Sequence, residues 1–128
     1  MSTALVCIAL LGLPIFVLGM YVSFHRGRSR TVIGFDSSPS DPLHKAVRAH
    51  GNSAEYAPML AVLMVVLAAL EPASWLSWVM IAAVVSRYMI ALGLLLGSLD
   101  VPNPVRALGA LGTYVTGVLL CVGIFVSM

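Results

Sequence analysis

Long apolar runs alternate with short polar breaks along the chain, and that pattern predicts four helices. Residues 3–24 carry no charged side chain. A run of this length crosses a hydrocarbon core of ~30 Å at ~1.5 Å per residue. Pro14 falls inside it, where a membrane helix tolerates proline. Residues 25–42 form a polar loop that opens with Arg26, Arg28 and Arg30. Its later part, Gly34 to Pro42, is rich in turn formers. Asp41 followed by Pro42 fits an N-cap and a first helical position. The second helix is expected over about 43–70, polar in its first half and wholly apolar from Met59 to Leu70. Glu71-Pro72-Ala73-Ser74 reads as a tight turn, because Pro72 breaks the helix. A third helix follows over about 75–97, with Trp75 and Trp78 suited to a membrane interface. Asp100 to Pro104 is the next turn, and a fourth helix spans about 105–126. The fold class expected is all-α: an integral membrane protein, one domain over residues 1–128, built as a four-transmembrane-helix up-down bundle.

Composition agrees with the pattern. The 128 residues are 60% hydrophobic and 9% charged, with a mean hydropathy of +1.02. A soluble domain of this size has no use for so much apolar surface. No Lys or Arg precedes the first run and no small-x-small site follows it before Arg26, so an uncleaved helix is expected rather than a signal peptide. The net charge of +2 matters less than its placement. Arg26, Arg28, Arg30, Lys45, Arg48 and Arg106 all fall in or beside the first and third connections. By the positive-inside rule those connections of a multi-pass protein are cytoplasmic and both termini lie on the other side. No basic face with interleaved aromatics exists, which argues against nucleic acid. Cys7 and Cys121 stand in separate apolar runs, and no Cys/His spacing suggests a metal site.

Residues 45–60 hold most of the polar chemistry. Arg48, Asn52, Glu55 and Met59 are spaced four, three and four apart, which places them on one helix face. Tyr56 flanks that face, and His50 lies away from it. A charge facing lipid near the bilayer centre costs about 2.5–3.5 kcal/mol or more, so the face is expected to point inward. By helical rise Glu55 lies ~24 Å from Glu71, and Arg87, the one arginine deep within a span, lies ~18 Å from Trp75. These depths make Glu55 and Arg87 candidates for a structural ion pair.

An Arg–Asn–Glu face at a helix start suits a small zwitterionic ligand with carboxylates. The guanidinium fork matches carboxylate, and glutamate can hold an ammonium group. Arg106, at the start of the fourth helix, can reach the same mouth. Beside a ligand thiol it would favour the thiolate. His25, His44 and His50 make no metal set, and Ser86 has no His/Asp partner for a hydrolase triad.

In Arg48-Ala49-His50-x-Asn52-x-x-Glu55-Tyr56-x-Pro58, with Arg87 in the third helix and Pro104-Val105-Arg106 at the fourth, the sequence resembles the MAPEG family, the membrane-associated proteins in eicosanoid and glutathione metabolism. The four-helix layout is similar over essentially the whole chain, and the short loops resemble the small bacterial members, which implies a place in a bacterial inner membrane. The resemblance implies a homotrimer with glutathione, a co-substrate, between neighbouring subunits near the cytoplasmic face. It implies glutathione contacts at Arg48, Asn52, Glu55 and Tyr56, and at His50. Arg26 or Arg28 would be a basic contact from a neighbouring first helix. Arg106 would stabilise the thiolate. The expected chemistry is glutathione transfer or peroxide reduction on hydrophobic molecules drawn from the membrane. Ile90 and Leu94 depart from the pattern: eicosanoid-type members carry aromatic or histidine residues three and seven positions after the third-helix arginine.

Two other functions are compatible with the same helices. One is a non-catalytic protein of this fold that binds lipid or acts as a scaffold. The other is a small multidrug exporter, but such proteins carry an essential glutamate in the first span, and residues 3–24 have none.

Overall fold

The computed structural model describes residues 2–70 and 73–128. Four helices occupy most of them: α1 (Ser2–Ser29), α2 (Pro42–Ala69), α3 (Trp75–Leu96) and α4 (Pro104–Ser127). Each is long and apolar enough to cross a membrane. Glu71 and Pro72 of the expected turn lie outside the described residues, so the second connection is seen only from its flanks.

The first helix corrects the sequence reading. Residues 25–29, expected at the start of the polar loop, continue α1 to Ser29. The helix stops only where Arg30 adopts a left-handed backbone, φ 54°. Two causes extend it. No glycine–proline cluster intervenes before Gly34, and Arg26 and Arg28 in the last turn complement the negative end of the helix dipole.

The starts of α2 and α4 are capped as Asp-Pro and Asn-Pro. Asp41 accepts from the His44 N–H at 2.6 Å. Asn103 accepts from the N–H groups of Val105 and Arg106 at 2.9 and 3.2 Å. In both, proline occupies the first turn, where its missing donor costs nothing.

α3 is the most enclosed of the four. It packs against each of the others, whereas α1 and α4 do not touch. The apolar core joins Leu11 of α1, Met64 and Leu67 of α2, Leu76 and Met80 of α3, and Leu120 of α4, all fully buried. A second cluster nearer the polar end joins Leu18, Ala49, Ile90 and Leu94.

Close approach of α3 and α4 depends on missing side chains. A Cβ on Gly93 would stand 2.9 Å from the Arg106 nitrogen, and one on Gly109 would stand 2.8 Å from the Ser86 carbonyl oxygen. A Cβ on Gly123 would collide with Leu76 at the other end. Those pairings make α3 and α4 antiparallel and set the depth of Arg106 against α3.

A cleft with three guanidinium groups

A cleft of about 360 Å³ opens between the first halves of α2 and α4 and the second half of α3. That volume is within the range of small-molecule sites, ~300–1,000 Å³. Arg48, Asn52 and Tyr56 line it from α2, and Arg87, Ile90 and Leu94 from α3. Arg106, Thr113 and Tyr114 line it from α4. His44 and Leu99 stand at the loop side. No Asp or Glu is among the lining residues, so three arginines face one cavity without a carboxylate in its wall.

Each arginine is held differently. Arg48 is exposed at the mouth. Arg106 is half-buried, and its Nη1 and Nη2 donate to the carbonyl oxygens of Leu99 and Val101 at 3.2 and 3.3 Å. Those neutral acceptors orient the fork without neutralising it. Its backbone is fixed by the Asn103 cap, and Asn103 Nδ2 in turn donates to the Gly93 carbonyl at 3.3 Å.

Arg87 is buried, at 3% exposure. Its Nη2 donates both to the backbone carbonyl of Asn52 at 2.7 Å and to Asn52 Oδ1 at 2.6 Å. The Tyr56 ring lies over the guanidinium, 5.0 Å from carbon to ring centroid. Tyr56 also packs on Tyr114, with centroids 6.0 Å apart at 58°.

This arrangement corrects the expected ion pair. Arg87 bonds to Asn52 and not to Glu55, and its remaining nitrogens Nε and Nη1 have no hydrogen-bond partner among the described residues. Glu55 is exposed. The reason is angular. Asn52 and Tyr56 lie on the side of α2 that turns towards α3 and α4, whereas Glu55 lies ~60° from Asn52 at 100° per residue.

The other candidate residues are dispersed. His50 faces α1, where a Cβ on Gly19 would approach its Nε2 to 3.4 Å. Arg26 Nη1 donates to the carbonyls of Val32 and Gly34 at 3.1 and 3.0 Å, bracing the loop after α1. Arg28 lines a separate shallow groove with His25 and Asp41. Ser86 donates to the Ala82 carbonyl at 2.8 Å.

Sequence reading missed Thr113 and Tyr114 as cleft residues. Their spacing held the signal: Arg106, Ala110, Thr113 and Tyr114 are four, three and one apart, a single helix face. It also missed His44, which stacks on Phe35 at 4.4 Å and contacts the Ser38 carbonyl through Nδ1 at 3.1 Å. Nothing in the spacing of His44 announces that loop contact.

Below the tyrosine pair, an apolar groove of about 380 Å³ continues between α2 and α4, past Leu60, Leu63 and Val118. A polar cleft and an apolar groove thus meet at Tyr56, Thr113 and Tyr114.

No curated protein and no solved structure matches the chain. A family model does match, over residues 4–126, nearly the whole length, and its description is the MAPEG family. With four membrane-length helices and that match, the chain is a membrane protein that belongs to the MAPEG family.

Proposed function

We propose that this protein binds glutathione in the three-arginine cleft and joins it to, or uses it to reduce, a hydrophobic molecule drawn from the bilayer. The observation that carries this reading is the convergence of Arg48, Arg87 and Arg106 on one cavity lined by no acidic residue. Glutathione has two carboxylates and an ionisable thiol, and guanidinium groups suit all three. Arg48, Asn52 and Tyr56 hold the peptide within the cleft, and Glu55, His50 and Arg26 or Arg28, which lie outside the cleft of one protomer, add contacts where neighbouring subunits meet. Arg106 stands by the thiol and favours its anion. The thiolate then attacks an electrophilic carbon, forming a C–S bond as the carbon's leaving group departs with its electron pair. Or it attacks a peroxide oxygen, whose O–O bond breaks to give glutathione sulfenic acid and an alkoxide that takes a proton from water. A second glutathione converts the sulfenic acid to disulfide and water. The proton released by the thiol leaves to water. The apolar substrate reaches that sulfur along the α2–α4 groove.

The assembly is a homotrimer of up-down bundles, with the cleft on the cytoplasmic side and both termini on the other. Glu55 supports an oligomer: it is exposed on a membrane-length helix, ~24 Å by helical rise from Glu71, where contact with lipid disfavours a charge. A neighbouring subunit covering that face removes the cost.

The test is a glutathione titration of the detergent-purified protein, followed by melting temperature and by conjugation of a simple electrophile. Glutathione is expected to raise the melting temperature of wild type, with a smaller rise in Arg48→Ala and Glu55→Gln. Arg106→Ala is expected to lower the conjugation rate. Wild-type rates equal to the uncatalysed background across a range of electrophiles would sink the enzymatic reading. A second reading, ligand or lipid binding without catalysis, is favoured by Ile90 and Leu94, which line the cleft as buried apolar side chains. Stabilisation by lipid and none by glutathione would select it.

A further inference from the structure

We infer that Arg87 is a ligand-binding residue, an inner anion subsite on the floor of the cleft that Tyr56 covers. This rests on the reading of the cleft as a ligand site, and it adds a contact beyond the residues assigned there to glutathione. The observation is a buried cation with one edge left without a hydrogen-bond partner among the described residues. Arg87 is 3% exposed, yet Nε and Nη1 have no hydrogen-bond partner among the described residues. Both of its bonds are made by Nη2 and both go to Asn52, a neutral residue. A guanidinium that only tied α3 to α2 would not need its second edge left free. Burying unpaired charged donors is among the more costly arrangements in a protein interior. Such an edge is the half of a bidentate carboxylate pair that the protein itself supplies.

The neighbourhood selects the ligand class. Arg48 at the mouth and Arg106 on the opposite wall add two more cations. A ligand with one carboxylate would leave the floor or the rim uncompensated. A molecule with at least two anionic groups, one carboxylate reaching Arg87 and another held nearer the mouth, balances the site. Ile90 and Leu94 beside Arg87 offer no hydrogen bond, so the guanidinium edge is the polar feature of that wall of α3.

Tyr56 governs access. Its ring stands over the guanidinium and leans on Tyr114, and the free nitrogens are closed to solvent. Tyr56 is half-buried and Tyr114 is exposed towards the apolar groove, so the pair has room to turn aside. Ligand entry displaces the Tyr56 ring and replaces a cation–π contact with a carboxylate pair, which is the stronger partner for a buried guanidinium.

The experiment compares a dicarboxylate with its singly esterified form. Glutarate, glutathione and glutathione monoethyl esters are titrated into purified wild type, Arg87→Met and Arg87→Lys, scored by calorimetry and melting temperature. Wild type is expected to lose roughly 10- to 100-fold in affinity when the carboxylate facing Arg87 is esterified. In Arg87→Met that penalty disappears, so free acid and ester bind alike. A purely structural Arg87 would weaken both forms equally and keep the penalty. Arg87→Lys retains a buried cation for folding and is expected to show a reduced penalty if Arg87→Met does not fold. Glutarate binding lost in the variants, with no glutathione binding in wild type, would support the subsite and overturn the glutathione reading. Glutathione binding with an unchanged ester penalty in the variants overturns the subsite and leaves that reading standing. No binding of either acid to wild type overturns both.

Discussion

Arg87 and Asn52, 35 positions apart, share two hydrogen bonds through one nitrogen, Nη2, at 2.7 Å to the Asn52 backbone carbonyl and 2.6 Å to its side-chain oxygen. The pair links the middle of α3 to the polar half of α2 and sets one wall of the cleft. It works because Asn52 offers two acceptors at one place without a charge. The pair therefore fixes geometry while Nε and Nη1 keep no hydrogen-bond partner among the described residues.

Asn52→Ala removes one of the two acceptors and leaves the buried guanidinium with the backbone carbonyl alone. The expected cost is about 1–3 kcal/mol of stability. Thermal unfolding in detergent checks it, and Asn52→Asp gives the contrast. A carboxylate there neutralises Arg87, so the variant should hold the fold while weakening the response to anionic ligands. Unchanged ligand binding in Asn52→Asp would count against an anion site at this depth.

The helix pattern was legible because apolar runs and Asp-Pro and Asn-Pro starts act locally. The inward face of α2 was legible only in part. Spacing placed Arg48, Asn52 and Glu55 together, but a helical wheel does not say which edge of an arc meets the neighbouring helices. Here the Asn52 edge meets α3, and Glu55 is left outside. That choice follows from where α3 packs, which depends on Gly93 of α3 meeting α4 and Gly109 of α4 meeting α3. The contacts of His44 with Phe35 and Ser38 were beyond reach for a different reason: they depend on the loop path after Arg30.

Gly109→Ala tests that packing. Its Cβ would stand 2.8 Å from the Ser86 carbonyl oxygen and 2.9 Å from the Ile90 nitrogen, both backbone atoms that cannot rotate away. The helices must separate, at an expected cost of about 1–3 kcal/mol. Gly12→Ala is the control, since nothing lies within 4 Å of its added Cβ. It should match or slightly exceed wild type in melting temperature, because alanine favours a helix. Equal melting of both variants would remove the close-packing argument.

Asn103 does two jobs near Arg106. It caps α4 and ties the cap to the Gly93 carbonyl. Asn103→Ala should cost about 0.5–2 kcal/mol from the lost cap. Asn103→Asp keeps the acceptor and loses the donor to Gly93. If that tether positions Arg106, conjugation should fall in both variants while melting falls mainly in Asn103→Ala. A rate that simply follows stability would show the cap to be structural only.

Glu55 provides the sharpest test of assembly. The protomer leaves this carboxylate exposed near the middle of a membrane-length helix, on the side of α2 away from the core. In lipid a lone protomer would be relieved by its removal, so Glu55→Leu would stabilise a monomeric protein. In an oligomer the same face meets a second copy, and the carboxylate has groups to pair with there. Glu55→Lys would then invert a charge at the contact and be expected to lower the oligomeric fraction, as read by light scattering or native mass measurement in mild detergent. Glu55→Gln, which keeps the shape and hydrogen-bonding capacity, should fall between. A monomeric wild type, stabilised by Glu55→Leu, would remove the case for a subunit covering this face and return Glu55 to the lipid boundary.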